Sequence, residues 1–281
     1  MICSTFRLTP GIGPWLESRL WDAGLRRWEA LLGAAPSDVP LSQKALPRLV
    51  EAIGRAAEHL AAGDAEGLAR MLPRSERWRL YPAFLEQACF LDIETDGGDT
   101  VTAIGLLDRA GPRVLLRGRD LREFPERAAG WKLLVTFNGA SFDAPMLERA
   151  FPGWRAPLAH LDLCHLWRRL GHSGGLKLLE RAEGIERSPD VAGLSGLDAI
   201  RLWSAWERGD AGALRTLVAY NLWDAVNLRT LADLGYNRMV ERLRLPAAPL
   251  RVSEAGDYRY DVTRLLLAHD AGMAGGSGPR D

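Results

Sequence analysis

The chemistry-bearing residues of this chain are carboxylates at three separate places. The first is the run Cys89-Phe90-Leu91-Asp92-Ile93-Glu94-Thr95, an apolar strand that ends in two acids two residues apart. Side chains at i and i+2 leave a strand on the same face, so Asp92 and Glu94 are forced together. The apolar approach to Asp92 implies a central strand, where adjacent carboxylates repel unless protonated or neutralised by a cation. A divalent metal is the natural neutraliser. The second place is Asn138-Gly139-Ala140-Ser141-Phe142-Asp143-Ala144-Pro145, in which Asn138-Gly139 signals a turn and Asp143 falls in the first turn of a helix. The third is Tyr220-Asn221-Leu222-Trp223-Asp224, where Tyr220 and Asp224 share one helical face beside the apolar stripe of Leu217, Val218, Ala225, Leu228 and Leu231. Taken singly, the three read as a solvated strand end, a helix-dipole acid and a surface i, i+4 pair. Together they point to a metal centre.

The elements that must position these acids follow from periodicity. The spacing of Leu46, Leu49, Val50, Ile53, Ala57 and Leu60 predicts a helix over Leu46–Leu60, and a second, Ala65–Leu72, follows the Gly63-Asp64 break. After Tyr81-Pro82 the pattern changes to short apolar runs that predict strands at Ala88–Ile93, Val101–Leu107, Val114–Leu116 and Leu133–Phe137. The first three are joined by stretches short enough for an antiparallel meander. Helices are predicted at Ala144–Ala150, Leu163–Leu170, Leu176–Glu183, Leu197–Glu207 and Ala211–Leu234. The expected fold is an α/β sheet with helices on its faces. The expected domains are a small all-α unit over 1–80, the sheet-bearing unit over 81–236, an extension over 237–271 with an amphipathic candidate at Val262–Ala268, and a Gly-rich disordered tail over 272–281.

Composition bounds what such a chain does. Its 281 residues are 47% hydrophobic, which excludes disorder for the bulk of the chain. The 36 basic residues balance 36 acidic ones, so a protein that coats nucleic acid or an anionic membrane through bulk charge is excluded and any such contact is local. After Phe84 there are 25 basic and 27 acidic residues, and two bound divalent ions would change the sign of that part from −2 to +2. Three cysteines at long spacings fit neither a disulfide framework nor a thiolate zinc site. No apolar window reaches membrane-spanning length, no organic cofactor is expected, and the expected compartment is the cytoplasm.

The three acidic segments resemble the exonuclease motifs of the DEDD (DnaQ-like) 3′→5′ exonuclease superfamily, in the subtype with Y-x-x-x-D in its third motif. The carrying residues are Leu91-Asp92-Ile93-Glu94-Thr95, Phe137-Asn138-Gly139 leading to Phe142-Asp143, and Tyr220 with Asp224, in matching order and spacing. Within that superfamily the chain is most similar to YprB-type ribonuclease H-like proteins, on Phe142-Asp143-Ala144-Pro145, His160-Leu161-Asp162-Leu163, Gly174-Gly175-Leu176-Lys177 with Glu180, and Tyr220-Asn221. The resemblance spans roughly Leu80 to Leu234. It implies a ribonuclease H-like mixed sheet and a nuclease acting on DNA or RNA ends, with a structure-selective endonuclease or an inactive nucleic-acid-binding protein as alternatives.

Phosphodiester hydrolysis needs a nucleophilic water and charge stabilisation at phosphorus, which two metals roughly 4 Å apart supply together. Asp92 would bridge both ions, Glu94 and Asp143 would complete their shells, Asp224 would hold the ion on the water's side, and Tyr220 would orient that water. All-oxygen ligands favour Mg²⁺ or Mn²⁺. Thr95 and Asn138 are expected near the terminal nucleotide, and Phe142 is expected as a stacking surface. Lys177, one of three lysines against 33 arginines, is either a phosphate contact at a Gly-rich helix start or a solvated residue. Asp162 reads as structural, and the spacing of His160, His165 and His172 matches no helical face, so no metal site is expected there.

Near the N-terminus, Leu8-Thr9-Pro10-Gly11-Ile12-Gly13-Pro14-Trp15 resembles the hairpin and second helix of a helix-hairpin-helix motif, in which Gly11 and Gly13 would let the backbone approach a phosphate. The first helix would be truncated, and Trp15 stands where a basic residue is expected. A purely structural turn packed through Ile12, Leu16 and Leu20 is the alternative.

Overall fold

The computed structural model describes residues 1–258 together with Asp261 and Val262. The chain begins with α1 (Pro14–Asp22), α2 (Trp28–Leu32), α3 (Ala45–Ala61), α4 (Ala65–Met71) and a single turn, α5 (Tyr81–Phe84). The helix forms where predicted, but its buried stripe is Leu49, Ala52, Ile53 and Ala56, while Val50 and Ala57 of the expected stripe are exposed. Asp64 ends the Gly63 break by accepting from the Gly67 N–H at 2.8 Å, which caps α4.

A five-stranded sheet follows: β1 (Ala88–Thr95), β2 (Val101–Asp108) and β3 (Gly111–Leu116), then α6 (Phe124–Ala128), β4 (Leu133–Thr136), α7 (Asp143–Ala150) and β5 (His160–Asp162). Beyond it lie α8 (Leu163–Arg169), α9 (Leu176–Ala182), α10 (Gly196–Glu207) and α11 (Ala211–Arg242). The sheet order is β3-β2-β1-β4-β5. β1 is antiparallel to β2 and parallel to β4, so the sheet is mixed and β1 lies at its centre. This is the α/β architecture expected from the strand meander followed by helices.

The pleat of β1 decides which layer each residue meets. Cys89, Leu91 and Ile93 face one side, where they pack with Phe124 of α6 and with Met146 and Leu147 of α7. Phe90, Asp92 and Glu94 therefore face the other side. That side is covered by α11, which packs on β1, β2 and β3, and by α10, which packs on α11 and reaches β1. A 32-residue helix is about 48 Å long. It packs across β3, β2, β1 and β4 and also meets α8.

Several features depart from the periodicity, among them the unexpected short helices α2 and α6. β5 is only three residues long, too short for an alternation to register. α11 runs on to Arg242 instead of ending near Leu234. Gly235 stands inside it for packing: a Cβ there would lie 2.8 Å from Leu166 and 3.1 Å from the Trp167 ring nitrogen of α8. The chain after α11 then folds back along it. Asn237 exchanges two side-chain hydrogen bonds with the Leu250 backbone at 2.8 and 2.7 Å, and Asp233 accepts from the Ser253 N–H at 3.0 Å. The rest of the Val262–Ala268 segment and the Gly-rich tail lie outside the described residues.

The N-terminal helices share one continuous apolar core with the sheet: Leu20, Leu49, Leu68 and Tyr81 belong to the same cluster as Phe90, Leu133 and Leu231. A buried polar lock accompanies it. Arg79 donates to both Glu17 oxygens at 2.8 Å and to Glu76 at 2.7 Å, and all three residues are almost fully enclosed. The three cysteines are free thiols, and no described helix is long and apolar enough to cross a membrane.

Candidate metal centre

The end of β1 and the middle of α11 build the site. Asp92 and Glu94 project from the β1 face that meets α11. At the same strand position β2 carries Gly105, the register partner of Asp92. A Cβ on Gly105 would stand 2.4 Å from the Asn221 side-chain oxygen and 2.7 Å from its carbonyl oxygen. The missing side chain thus lets α11 lie directly on the sheet. Asn221, wholly buried, donates from Nδ2 to the Asp92 carbonyl at 3.2 Å and to Asp92 Oδ2 at 3.0 Å. This clamp fixes the rotation of α11, and Tyr220 and Asp224, one turn apart, are turned toward the acids.

Among the described residues, the carboxylate oxygens of Asp92, Glu94 and Asp224 form a group whose chosen atoms all lie within 4.8 Å of one another. Asp143, at the first turn of α7, stands outside that group but lines the same cavity of about 340 Å³, together with Thr95, Asn138, Phe142, Lys177 and Tyr220. The four acids and the tyrosine are therefore brought to one place from three elements. Thr95 and Asn138 are on its wall, and Phe142 keeps 45% of its surface exposed.

The turn that carries Asn138 is built for its position. Asn138 adopts φ of +63°, which asparagine tolerates, and a Cβ at Gly139 would lie 2.3 Å from the Thr136 hydroxyl. Asp162 secures the turn by accepting from the N–H groups of Asn138 at 2.8 Å and Ala140 at 3.1 Å, and it caps α8 through Cys164 at 3.0 Å. Its role is structural, as the sequence suggested. No metal-ligand group contains His160, His165 or His172 among the described residues.

Electrostatics marks the acids as a mutually repelling cluster. Burial, then the charges of Asp224, Glu94 and Asp143, hold the Asp92 carboxyl well above the usual carboxylate range. Burial and Asp224 push Glu94 up to about 8. Burial raises Asp143 to about 7, against the pull of backbone N–H groups of Asp143 itself and Ile93. Burial and the surrounding carboxylates also raise the Tyr220 phenol, which stays protonated at neutral pH.

Lys177 also lines this cavity. Its ammonium pairs with Asp224 and lies 4.4 Å from the centre of the Tyr220 ring, because the unneutralised carboxylates draw it inward from the start of α9. Sequence reasoning missed Arg187. Its guanidinium bonds both oxygens of buried Glu180 at 2.7 and 2.6 Å and also pairs with Asp224. Glu180 also accepts from Asn227 of α11 at 3.0 Å. The only sequence signal for this group was Glu180, an acid on the apolar side of a short helix. Two protein cations on one oxygen of Asp224, beside three carboxylates with raised pKa, show a donor set that attracts positive charge. An all-oxygen group of this kind fits a hard divalent ion.

Gly11 borders a different cavity. Gly11 has φ of +95°, Gly13 caps α1, and Thr9–Ile12, Arg19, Lys44 and Arg48 line a space of about 560 Å³ beside them. Only a three-residue turn, Ile2–Ser4, stands where a first hairpin helix would be. Trp15 is 66% exposed, with the Arg19 guanidinium 4.8 Å from its ring centre.

No curated protein and no solved structure matches the chain. The profile of the RNase H superfamily matches residues 89–236, more than half of the chain, and takes in the sheet and all four acids. This chain belongs to the RNase H superfamily, and its mixed sheet of order β3-β2-β1-β4-β5, flanked by helices, is consistent with that fold.

Proposed function

We propose that this protein is a metal-dependent nuclease that hydrolyses phosphodiester bonds at the 3′ end of DNA or RNA. The observation that carries the reading is the convergence of Asp92, Glu94, Asp143, Asp224 and Tyr220 on one cavity. Asp92, Glu94, Asp143 and Asp224 would hold two Mg²⁺ or Mn²⁺ ions. Bound there, the ions would supply a nucleophilic water near neutral pH and charge stabilisation on the attacked phosphate.

The chain's own groups do the rest. Asn221 donates to Asp92 Oδ2 and so holds the Asp92 side chain in place on the cavity wall. The protonated Tyr220 hydroxyl offers a hydrogen bond to a water or a phosphate oxygen. Phe142 at the rim offers a face on which a terminal base stacks, with Thr95 and Asn138 close to its sugar. In this reading residues 81–236 carry the chemistry, and the turn at Gly11 and Gly13, flanked by Arg19, Lys44 and Arg48, adds a backbone-phosphate contact.

The test is digestion of end-labelled single-stranded, duplex and RNA oligonucleotides with Mg²⁺ or Mn²⁺, with Asp92→Ala and Asp143→Ala as controls. Stepwise shortening from the 3′ end by the wild type alone is expected. Activity retained in Asp92→Ala would refute the assignment, and cleavage of circular single strands would make the enzyme an endonuclease.

A further inference from the structure

A second cavity lies on the far side of the 138–144 turn from the acids. It is the larger of the two, about 820 Å³, and is bounded by the segment before α5, the start of α7, β5 and α8. Its charged lining is Arg74, Arg77 and Arg169, with His160 and His165, against Glu148 and Asp162.

The two acids there are engaged by the backbone. Asp162 is spent on three backbone N–H groups, and Glu148 accepts from the Ala156 N–H at 3.0 Å. The cations are differently placed. Arg169 is held by Ser75 and Glu76, and Arg77 donates from Nε to the Ala69 carbonyl at 3.2 Å with Glu66 near its charge. Arg74 and His165 are exposed and have no hydrogen-bond or ion-pair partner among the described residues. The His160 ring, 2.8 Å from the Thr136 hydroxyl, is held neutral by burial and by the positive groups around it. Arg74 and His165 are thus the basic side chains of this cavity that no protein anion engages among the described residues.

Its position gives the ligand. Ala140 and Ala144 line this cavity, while Asn138, Phe142 and Asp143 of the same turn line the acid cavity. An anion bound here is separated from the metal ligands by one turn of backbone. We infer that this basic cleft binds backbone phosphates of a single-stranded polynucleotide whose end lies at Asp92, Glu94, Asp143 and Asp224. The inference rests on the function proposed above and adds where the strand runs. Each phosphate seated on the cleft releases condensed counterions, so binding weakens with salt, with a slope of about 0.7 per neutralised phosphate on a single strand.

The test compares wild type with the double variant Arg74→Glu/His165→Glu, both sites being exposed, by fluorescence anisotropy in EDTA. The probes are a labelled oligothymidylate dodecamer, an oligouridylate dodecamer and a dinucleotide. The double variant should bind both dodecamers more weakly and lower the salt slope by about 0.7 for each phosphate that the cleft no longer neutralises. Dinucleotide cleavage in Mn²⁺ should be unchanged. Arg74→Gln, which only removes a charge from an exposed side chain, should show the same weakening in smaller degree and guards against misfolding of the double variant. Unaltered dodecamer affinity and slope in both variants would overturn the proposal, as would an equal weakening for dinucleotide and dodecamer. Binding in EDTA needs no hydrolysis. A wild type that binds through Arg74 yet cleaves nothing refutes the nuclease reading alone, and one that cleaves while ignoring Arg74 refutes the cleft alone.

Discussion

Removing divalent metal while raising the pH should destabilise this protein, by an amount the acid cluster sets. Glu94 titrates near 8 instead of its ordinary 4.5, and Asp143 near 7 instead of 3.8. Both folded-state values are raised, so between about pH 5 and pH 7 the folded chain holds protons that the unfolded chain has released, and stability falls as pH rises. The penalty is absent below the unfolded values and complete above about pH 8. One proton held in this way is worth about 1.4 kcal/mol per pH unit. The Asp143 charge acts on Glu94, so the two titrate as a pair over a wider range, and about 2 kcal/mol per pH unit is expected in place of the roughly 2.8 of two independent groups. For a chain of this size that is a fall in Tm of about 4 °C per pH unit. The assay is thermal denaturation in EDTA at several pH values, with Glu94→Gln/Asp143→Asn measured in parallel. That variant should lose the part of the slope that Glu94 and Asp143 supply and keep that of Asp92. Added Mn²⁺ should raise the wild-type Tm more at about pH 7.5 than at about pH 5.5, because the ion competes with the protons. Parallel profiles for wild type and variant in EDTA, or equal stabilisation by Mn²⁺ at both pH values, would refute the reasoning.

Two further outcomes follow from packing around the same centre. Gly105→Ala should cost about 1–3 kcal/mol from overpacking, read by urea denaturation, and lower the nuclease rate far more, since a displacement near 1 Å can cost on the order of 100-fold. Arg187→Met leaves Glu180 and Asp224 without their shared cation and should destabilise the metal-free protein by about 3 kcal/mol. Mn²⁺ should recover part of that deficit in a thermal melt, and Arg187→Lys should not restore full stability because an ammonium cannot bond both Glu180 oxygens side by side.

Much of the centre was readable one segment at a time. Asp92 and Glu94 share a strand face by the two-residue period, and Tyr220 and Asp224 share a helix face by the four-residue offset. An apolar approach to each marked them as enclosed. Element ends were less readable. The helix expected to stop at Leu234 runs on to Arg242, and Gly235 inside it makes room for Leu166 and Trp167, a constraint set by α8 and not by its own neighbours in sequence. β5, with three residues, carries no period at all.

The sequence by itself determined the residue types, the local faces and the order of the three acidic segments, because these depend on period and short-range chemistry. Only the tertiary structure decided that Asn221 locks α11 against Asp92 through the space left at Gly105, that Lys177 and Arg187 both pair with Asp224, and that a basic cleft backs onto the turn that carries Asp143. Each joins groups tens of residues apart along the chain. Such pairings depend on how helices are seated on the sheet, and that seating is fixed by close packing across the whole core, which no local pattern records.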